Sequence, residues 1–370
     1  MQKADGMNYV PVSQAPVNKV VKDGEFRFAA VGLDHGHIFA MCGGLLEAGA
    51  DLAYVYDPDP NKVVSFCEKH RGVVAAESIE QVLSDDSIQL VASACIPNQR
   101  TDLGCRVLAA GKHYFADKPA MTSFEQLEAA REAVKKSGKK YYVYFGERLH
   151  VESAVFTQQL IDSGKLGRVL QVTILAPHRL NKTMRPEWFF SAKQNGTILN
   201  DIGSHQFEQF LSYTGAKTAM VLHSKMANYA NKDHPDFTDF GDVSLLADNG
   251  ATGYCRVDWF TPDGLNAWGD GRVFIMGTKG TVEIRKYIDI GVSTEGDHVF
   301  FTDSQSEHRY DVYSKVGYPF FGAFILDCIY GTENSMTQEH VFEAMRIALE
   351  ASEKARRIEK LSAEQGATYI

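Results

Sequence analysis

The sequence has no excess of basic residues, no long apolar run and no regular cysteine pattern. Its 370 residues include 38 Lys and Arg against 47 Asp and Glu, so the formal net charge is −9. Nonspecific binding to nucleic acid needs a basic face that displaces counterions from phosphate, and this charge argues against it. No apolar run approaches the ~20 residues that span a bilayer. We therefore expect neither nucleic acid nor a membrane as a partner.

The cysteines are few and scattered. All six, at positions 42, 67, 95, 105, 255 and 328, stand without a C-x-x-C motif, which is typical of buried thiols and not of a disulfide framework or a zinc site. Residues 1–25 are polar and lack the apolar segment of a signal peptide. This predicts a cytoplasmic protein, although a signal removed beforehand would leave a periplasmic location open. We expect residues 1–25 to form an extended arm that can dock on a partner subunit.

Hydrophobic residues make up 44% of the chain, which is enough for a full core, and the length corresponds to two or three domains. From residue 26 to about 148, short apolar runs that predict strands alternate with segments that predict helices. This order predicts an α/β domain with a doubly wound parallel sheet. From residue 149 to 370, several predicted strands follow one another with little helix between them, which favours an α+β domain with a mostly antiparallel sheet. The predicted strands of this second domain are 169–175, 219–224, 243–246, 252–258, 273–276 and 281–285, and its predicted helices are 153–163, 201–213 and 338–356.

A glycine-containing turn, Gly32-Leu33-Asp34-His35-Gly36-His37, follows the first predicted strand. Such a turn brings backbone N–H groups and a helix N-terminus close to a pyrophosphate. The usual fingerprint is G-x-G-x-x-G, and here Asp34 and His37 stand in the places of the second and third glycines. By itself, the turn fits a dinucleotide site or an ordinary tight turn of another α/β protein.

Asp57 ends the second predicted strand, 25 residues after Gly32, where the ribose of a bound dinucleotide would lie. A carboxylate there accepts hydrogen bonds from the ribose hydroxyls and would repel a 2′-phosphate. No arginine stands within several residues after it, so NAD is favoured over NADP. The alternative is that residues 57–60, Asp-Pro-Asp-Pro, form only a turn and a helix cap.

Two further motifs have the residue types of acid–base chemistry. Asp117-Lys118-Pro119 ends another predicted strand, at the sheet edge where ligands bind in open α/β folds. Asp201 and His205 are four residues apart, so on a helix they share a face and the carboxylate can orient the imidazole. Alone, each motif is more often structural, as a surface lysine or as a buried histidine with a carboxylate partner.

In combination, these motifs resemble the glucose–fructose oxidoreductase / inositol dehydrogenase / MocA-like (Gfo/Idh/MocA-like) family of NAD(P)-dependent oxidoreductases. The resemblance runs from about residue 26 to the final helix, and Asp117 stands in place of the glutamate of the family's E-K-P motif. It implies an N-terminal Rossmann domain, an α+β domain whose open sheet often mediates oligomers such as dimers or tetramers, and a sugar or polyol substrate. The matching pieces are the first turn, Pro97-Asn98, Gly111-Lys112-His113, Asp117-Lys118-Pro119 and Asp201-x-Gly203-x-His205.

The resemblance also implies roles for individual residues. Lys118 would touch the substrate hydroxyl and the nicotinamide ribose, His205 would move the proton of the substrate, and Asp201 would orient the substrate or the histidine. These three are the expected catalytic residues, and the last two are also expected to contact the substrate. The expected cofactor-binding residues are Gly32, Asp34, His35, Gly36, His37, Asp57, Pro97, Asn98, Asp117 and Lys118.

Further polar residues are candidates for the substrate pocket. His178, Arg179, Arg185 and Trp188 lie between a predicted strand and the helix of Asp201, and they could line the pocket or form a surface loop. Arg148 follows the last strand of the first domain, where it could reach the ligands or make a structural ion pair. His35-x-His37 resembles a metal-binding pair, but no carboxylate or cysteine accompanies it in sequence, so we expect no metal.

The sequence therefore predicts an NAD-dependent oxidoreductase acting on a hydroxyl of a sugar, polyol or related metabolite. One alternative keeps the cofactor but is redox-neutral: a sugar-active lyase or hydrolase with tightly held NAD. The other is a non-catalytic ligand-binding member of the family, which the altered glycine turn would favour and the three catalytic candidates oppose.

Overall fold

Two sheets organise the chain. The computed structural model describes residues 5–358, with one sheet of six strands and another of nine. Both parts of the predicted fold class are confirmed: a parallel α/β sheet comes first and a mostly antiparallel sheet follows. All six described cysteines are free thiols, as their spacing predicts. Within residues 5–358, no helix is both long and apolar enough to cross a membrane.

The first sheet has the strand order β3-β2-β1-β4-β5-β6, and all its strand pairs are parallel. The order reverses between β1 and β4, which opens a crevice at the carboxyl ends of these strands. The central strands are buried and read as continuous apolar runs, as parallel strands covered on both faces do. The elements are β1 (Arg27–Val31), α1 (His37–Glu47), β2 (Asp51–Tyr56), α2 (Pro60–Lys69), β3 (Val74–Ala75), α3 (Ile79–Ser84), β4 (Leu90–Ser93), α4 (Arg100–Ala109), β5 (His113–Asp117), α5 (Phe124–Ser137) and β6 (Tyr141–Tyr144).

The second sheet has the order β14-β13-β12-β11-β7-β10-β9-β8-β15. Its pairs are antiparallel except β7 with β10 and β8 with β15. The elements of this part are α6 (Gly146–Leu149), α7 (Glu152–Asp162), β7 (Val169–Pro177), α8 (Ala192–Asn195), α9 (Ile198–Thr214), β8 (Ala219–Ala227), β9 (Phe240–Ala247), β10 (Thr252–Asp258), β11 (Arg272–Gly277), β12 (Gly280–Arg285), β13 (His298–Asp303), β14 (Glu307–Asp311), α10 (Pro319–Tyr330), α11 (Gln338–Glu353) and β15 (Arg356–Arg357).

Several elements differ from the sequence expectation. Strands β13 and β14 and helix α10 have no counterpart among the predicted elements, and the last helix ends at Glu353 and not at residue 356. Helix α10 packs on the first sheet, where the ring of Phe324 lies 5.1 Å from that of Phe115 in β5 and 4.7 Å from that of Tyr142 in β6. The later part of the chain thus returns to support the helices and strands around the predicted dinucleotide site.

The described part of the N-terminal arm, residues 5–25, lies along its own chain. The Ser13 hydroxyl donates to Glu152 Oε1 at 2.8 Å, and the Val20 N–H donates to the Ala48 carbonyl at 2.9 Å. A short 3₁₀ turn, Gly6–Asn8, is capped by the carboxylate of Asp5. The arm was expected to be able to dock on a partner subunit, and here it packs across its own two sheets.

Candidate active site

A cavity lies at the carboxyl ends of β5 and β6, where the two sheets meet. The first domain, the second domain and the N-terminal arm all contribute to its wall. Three of its lining residues are the predicted catalytic set, and the arm contributes four more. These are Lys118, Asp201 and His205, together with Gly6, Met7, Tyr9 and Pro11.

Lys118 and Asp201 form an ion pair in this cavity. The Lys118 Nζ atom donates to Asp201 Oδ1 at 2.7 Å, and both side chains are buried. Lys118 follows β5 directly, while Asp201 stands in the first turn of α9, whose N-cap Thr197 accepts from the Asn200 N–H. The positive end of the helix dipole stabilises a carboxylate in the first turn. Two residues 83 positions apart in sequence are thereby held in contact.

His205 lies one turn further along α9 and is also buried. Its Nδ1 atom is buried and has no hydrogen-bond partner within residues 5–358. Burial lowers the pKa of this imidazole well below its usual value, and the nearby carboxylate of Glu147 opposes the effect only in part. The ring is therefore neutral near physiological pH and can accept a proton.

Asp117 connects the altered glycine turn to the end of β5. Its carboxylate contacts His37 Nδ1 at 2.8 Å, His35 Nδ1 at 3.3 Å and Arg100 Nη2 at 3.1 Å. Burial by itself would raise the pKa of Asp117, but His37, Arg100 and His35 together hold it well below its usual value. His37 Nε2 lies 2.9 Å from the carbonyl oxygen of Gly6 in the arm.

This cluster changes one expectation. The histidine pair has no carboxylate near it in sequence, yet the fold brings Asp117 to both rings, with possible ligand atoms of all three residues within 4.8 Å of one another. The Arg100 guanidinium occupies one oxygen of the same carboxylate. A metal ion there would face this fixed positive charge, so the geometry better suits a hydrogen-bonded cluster than a metal centre.

The two side chains that replace fingerprint glycines are each paired away from the turn. Asp34 accepts from Lys62 Nζ at 2.6 Å, and His37 is held by Asp117 and Gly6. Asp57 accepts from the N–H groups of Leu33 at 2.7 Å and Asp59 at 2.9 Å. Asp34 would therefore meet a pyrophosphate as half of an ion pair, which would reduce the repulsion expected from its charge.

The residues of this edge fit a dinucleotide. Gly32 has φ +74°, and a Cβ at this position would lie 2.5 Å from Cys95 Cβ, so the tight turn requires glycine. Asp57 stands at the end of β2, where the ribose is expected, and Pro97-Asn98 follow β4 in a 3₁₀ turn. The buried Oδ1 atom of Asn98 has no hydrogen-bond partner within residues 5–358. An acceptor without a donor at this edge is consistent with a ligand that supplies one.

The arm closes the cavity from the other side. The ring centroid of Tyr9 lies 5.6 Å from that of Trp268 and 6.0 Å from that of Tyr287. Asp5 accepts from Asn181 Nδ2 at 2.8 Å. A Cβ at Gly36 would collide with the Met7 carbonyl oxygen and lie 2.8 Å from Asn8 Oδ1. The arm is thus in direct contact with the glycine turn.

Only part of the predicted substrate set lines this cavity. His178 and Arg185 do, and the Arg185 guanidinium lies 4.7 Å from the Phe189 ring centroid and donates to the Leu180 carbonyl. Arg179 and Trp188 are not among the described lining residues. The guanidinium of Arg179 donates instead to the Pro262 and Leu265 carbonyls.

Arg148 is also outside the lining. Its guanidinium pairs with the buried carboxylate of Glu208, with Nε 2.8 and 2.9 Å from the two oxygens. The sequence left a structural ion pair open for Arg148, and that alternative matches the structure. A contact of Arg148 with the ligands stays a prediction.

Several lining residues escaped the sequence analysis. Glu147 neighbours Arg148 in sequence and carries no recognisable motif. Of the other side chains, one ends strand β6 and the rest follow helices or strands, so their approach to the cavity depends on the fold. They are Tyr144, His150, Trp259, Trp268 and Tyr287. Residues 259–287 are rich in aromatic side chains, but the sequence did not indicate that any of them faces a cavity.

Comparison with known families decides the classification. Residues 26–145 match the model of an oxidoreductase family with an NAD-binding Rossmann fold, and residues 156–283 match the GFO/IDH/MocA C-terminal domain. The chain belongs to the GFO/IDH/MocA family. The resemblance seen in the sequence is therefore confirmed, and so is the assignment as an oxidoreductase with an NAD-binding Rossmann fold.

Individual relatives agree with this membership. A crystal structure from Erwinia carotovora atroseptica SCRI1043, provisionally described as an oxidoreductase, is 46% identical, covers 90% of this chain and 100% of its own, and superposes with a TM-score of 0.88. The scyllo-inositol 2-dehydrogenase (NAD(+)) of Bacillus subtilis is 26% identical over 64% of this chain and 66% of its own length. The D-xylose dehydrogenase of Paenarthrobacter nicotinovorans is 24% identical, and the match spans 39% of this chain and 38% of that protein.

Proposed function

We propose that this protein is an NAD-dependent oxidoreductase that transfers hydride between the nicotinamide and a hydroxyl-bearing carbon of a sugar or polyol. The observation that carries the proposal is the buried Lys118–Asp201 pair beside a neutral His205 in one cavity at the carboxyl edge of the parallel sheet. The substrate class is supported by two GFO/IDH/MocA relatives, which are named as dehydrogenases of inositol and of xylose.

The three residues have distinct tasks. As an alcohol is oxidised, its hydroxyl proton leaves and negative charge develops on the oxygen, which the Lys118 ammonium stabilises. Asp201 fixes that ammonium through the 2.7 Å hydrogen bond. His205, with a ring nitrogen free of protein partners within the described chain, accepts the proton. When bound, the nicotinamide supplies the hydride acceptor for oxidation or the hydride donor for reduction.

NAD is the proposed cofactor. Lys62 lies 2.6 Å from Asp34 Oδ1 and 3.8 Å from Asp57 Oδ1, so two carboxylates surround one ammonium at the expected ribose position. Two carboxylates and one ammonium leave this cluster with a net negative charge, which disfavours a 2′-phosphate. The sequence did not predict that Lys62 lies here. Gly32, Asp57, Asn98 and the N-terminus of α1 would hold the dinucleotide.

Lys118→Ala tests the catalytic assignment. We expect turnover to fall at least ~10²-fold while NAD affinity stays within about tenfold, since the loss concerns charge stabilisation and proton transfer. Steady-state kinetics with a polyol and aldose panel gives the first value and calorimetry gives the second. Lys136→Ala, an exposed lysine in the last turn of α5, is the matched control. Near-normal turnover in Lys118→Ala would show that this residue has been misassigned.

The same experiment separates the alternatives. Turnover of free NAD with a polyol supports the dehydrogenase. Cofactor that survives purification and is never released points to a redox-neutral reaction, while absence of NAD binding by calorimetry leaves a ligand-binding role.

We also propose a homo-oligomer, a dimer or tetramer, formed through the outer face of the second sheet. Four large apolar side chains on β8 and β11 of this sheet are 39–58% exposed: Met220, Leu222, Phe274 and Met276. Exposed apolar surface can mark an interaction site. Analytical ultracentrifugation measures the oligomeric state, and a monomer at micromolar concentration would contradict the proposal.

A further inference from the structure

A buried arginine in the wall of the cavity has no carboxylate partner. Arg185 is 7% exposed and lines the cavity together with Lys118 and Asp201. Its Nε atom donates to the Leu180 carbonyl at 2.8 Å, and its Nη2 atom donates to the Arg179 carbonyl at 3.4 Å. Within residues 5–358, no carboxylate forms an ion pair with it. A guanidinium has five N–H donors, so these two bonds leave donors for a ligand.

The backbone and two aromatic rings fix the position of this guanidinium. Arg185 precedes Pro186 and has an extended backbone, with φ −82° and ψ 136°, which is the conformation that a following proline favours. The guanidinium lies 4.7 Å from the ring centroid of Phe189 and 5.4 Å from that of Trp259. Cation–π contacts of this kind hold an arginine without neutralising its charge. The cation is therefore in place before a ligand binds.

The acidic residues that act on Arg185 are paired with other groups. They are Asp5 in the N-terminal arm and Asp201 in α9. Asp201 accepts from Lys118 Nζ at 2.7 Å, and Asp5 accepts from Asn181 Nδ2 at 2.8 Å. Burial lowers the pKa of Arg185, and the two carboxylates offset this effect only in part. A buried cation that lacks a direct counter-ion is stabilised by an anion that enters beside it.

The charge balance of the cavity wall favours an anion with a single charge. Lys118 pairs with Asp201 at 2.7 Å, and Glu147 pairs with Lys286 at 3.3 Å. Among the Lys, Arg, Asp and Glu side chains of the described lining, this leaves Arg185 as the one without an opposite partner. A carboxylate would balance its charge, whereas a phosphate dianion would leave a buried negative charge unmatched.

A second donor near Arg185 also lacks a partner. The indole Nε1 atom of Trp268 is buried and has no hydrogen-bond partner within residues 5–358, and the side chain lines the cavity. Its ring centroid lies 4.6 Å from that of His178, which in turn lies 5.5 Å from that of Trp259, the ring beside the guanidinium. An indole N–H can only donate. Both groups are therefore suited to a ligand rich in acceptor oxygens.

We propose that the substrate is a carboxylated sugar or polyol, such as a uronate or an aldonate, and that Arg185 binds its carboxylate. This inference rests on the proposed oxidoreductase function and narrows its substrate class. A guanidinium donates two parallel N–H bonds to a carboxylate, which fixes the orientation of the ligand as well as its charge. Arg185 then determines specificity, while Lys118 and His205 act at the hydroxyl.

The first test compares matched ligands on the wild-type protein with NAD. Each acid is paired with the neutral compound that carries a CH₂OH group in place of the carboxylate: D-glucuronate with D-glucose, D-galacturonate with D-galactose, and D-gluconate with D-sorbitol. We expect kcat/KM of the preferred acid to exceed that of its neutral partner at least ~100-fold, because the neutral partner leaves the buried guanidinium without an anion. Equal or better use of the neutral partner, or of D-glucose 6-phosphate, would overturn the proposal.

Arg185→Gln separates recognition of the ligand from support of the fold. We expect kcat/KM to fall at least ~100-fold for the acid and less than about fivefold for its neutral partner. A purely structural role would lower both values alike, so an unchanged ratio between them would refute the assignment.

Two further variants serve as controls. Arg185→Lys keeps the positive charge without the planar fork and should recover part of the preference for the acid. Arg272→Gln changes an arginine of β11 that pairs with Asp270 and is not among the described lining residues, and it should keep the wild-type ratio. The wild-type comparison needs no substitution, so it remains decisive if Arg185→Gln does not fold.

Calorimetry with the same acids does not depend on turnover. If an acid binds the wild type at least ~10-fold more tightly than Arg185→Gln and no member of the panel is oxidised, the oxidoreductase proposal fails and the carboxylate site stands. If neutral sugars are oxidised while the acids do not bind at millimolar concentration, the oxidoreductase stands and the role of Arg185 is refuted. Absence of acid binding refutes that role whatever the protein catalyses.

Discussion

Two adjacent glycines in α1 provide a matched test of how helix α10 supports the dinucleotide end of the fold. A Cβ added at Gly43 has no neighbour within 4 Å, so Gly43→Ala gains only helix propensity, ~0.5–1 kcal/mol. A Cβ added at Gly44 would lie 2.5 Å from Phe321 Cε1 and closer still to Cζ and Cε2. Ordinary contact begins near 3.4 Å, so the ring would have to move by roughly 1 Å in a close-packed interior.

Phe321 has little room to move. It is 1% exposed, and its ring centroid lies 4.9 Å from that of His150 and 5.4 Å from that of Phe320. Overpacking of this kind costs ~1–3 kcal/mol. Because both variants gain the same propensity term, the difference between them isolates the packing cost.

The comparison is made by thermal unfolding of the two variants side by side. At about 2–4 °C per kcal/mol for domains of 150–250 residues, Gly44→Ala should melt roughly 2–12 °C below Gly43→Ala. Equal melting temperatures would show that α10 does not pack against α1 as described. The expected decrease in the melting temperature of Gly44→Ala would then have no physical basis.

One further substitution and one truncation test the contacts of Arg148 and of the N-terminal arm. Arg148→Met should lower stability by up to ~3–5 kcal/mol, because Glu208 stays buried without its arginine and keeps only the contacts with His340 and Ser212, while kcat/KM of the folded fraction changes less than about threefold. Urea unfolding measures the stability, and kinetics at low temperature measures kcat/KM. A large loss of kcat/KM with unchanged stability would show that Arg148 acts in the substrate site. Removal of residues 1–9 should raise the substrate KM about tenfold or more, because Tyr9 and its neighbours form one wall of the cavity, and an unchanged KM would place the arm outside it.

Local patterns were sufficient for much of the fold. The alternation of apolar runs and helical segments before residue 148 predicted the parallel sheet, because strands buried on both faces leave a strong apolar signal. Lys118, Asp201 and His205 were found because a strand end, a helix spacing and a family motif each constrain their place. The structure then brings all three to one cavity.

Elements with unusual environments escaped those patterns. Helix α10 is apolar around most of its circumference because it packs against both the first sheet and α1, so it lacks the amphipathic pattern of a surface helix. Strand β14 forms the edge of the second sheet and is almost entirely exposed, with mostly polar residues. Such edge strands discourage aggregation but resemble loops in sequence.

The altered glycine turn shows why site geometry needs the tertiary structure. Judged locally, Asp34 and His37 weaken the dinucleotide fingerprint, since each replaces a glycine with a larger polar group. In the fold, Lys62 neutralises Asp34 and a carboxylate 80 residues away holds His37. The partner of His37, Asp117, is itself the shortened member of the family's E-K-P motif, so the two departures from the family pattern meet in one hydrogen bond. His37, which weakens the fingerprint in sequence, and Asp117 therefore form one compatible arrangement, and a substitution at either position should be judged together with the other.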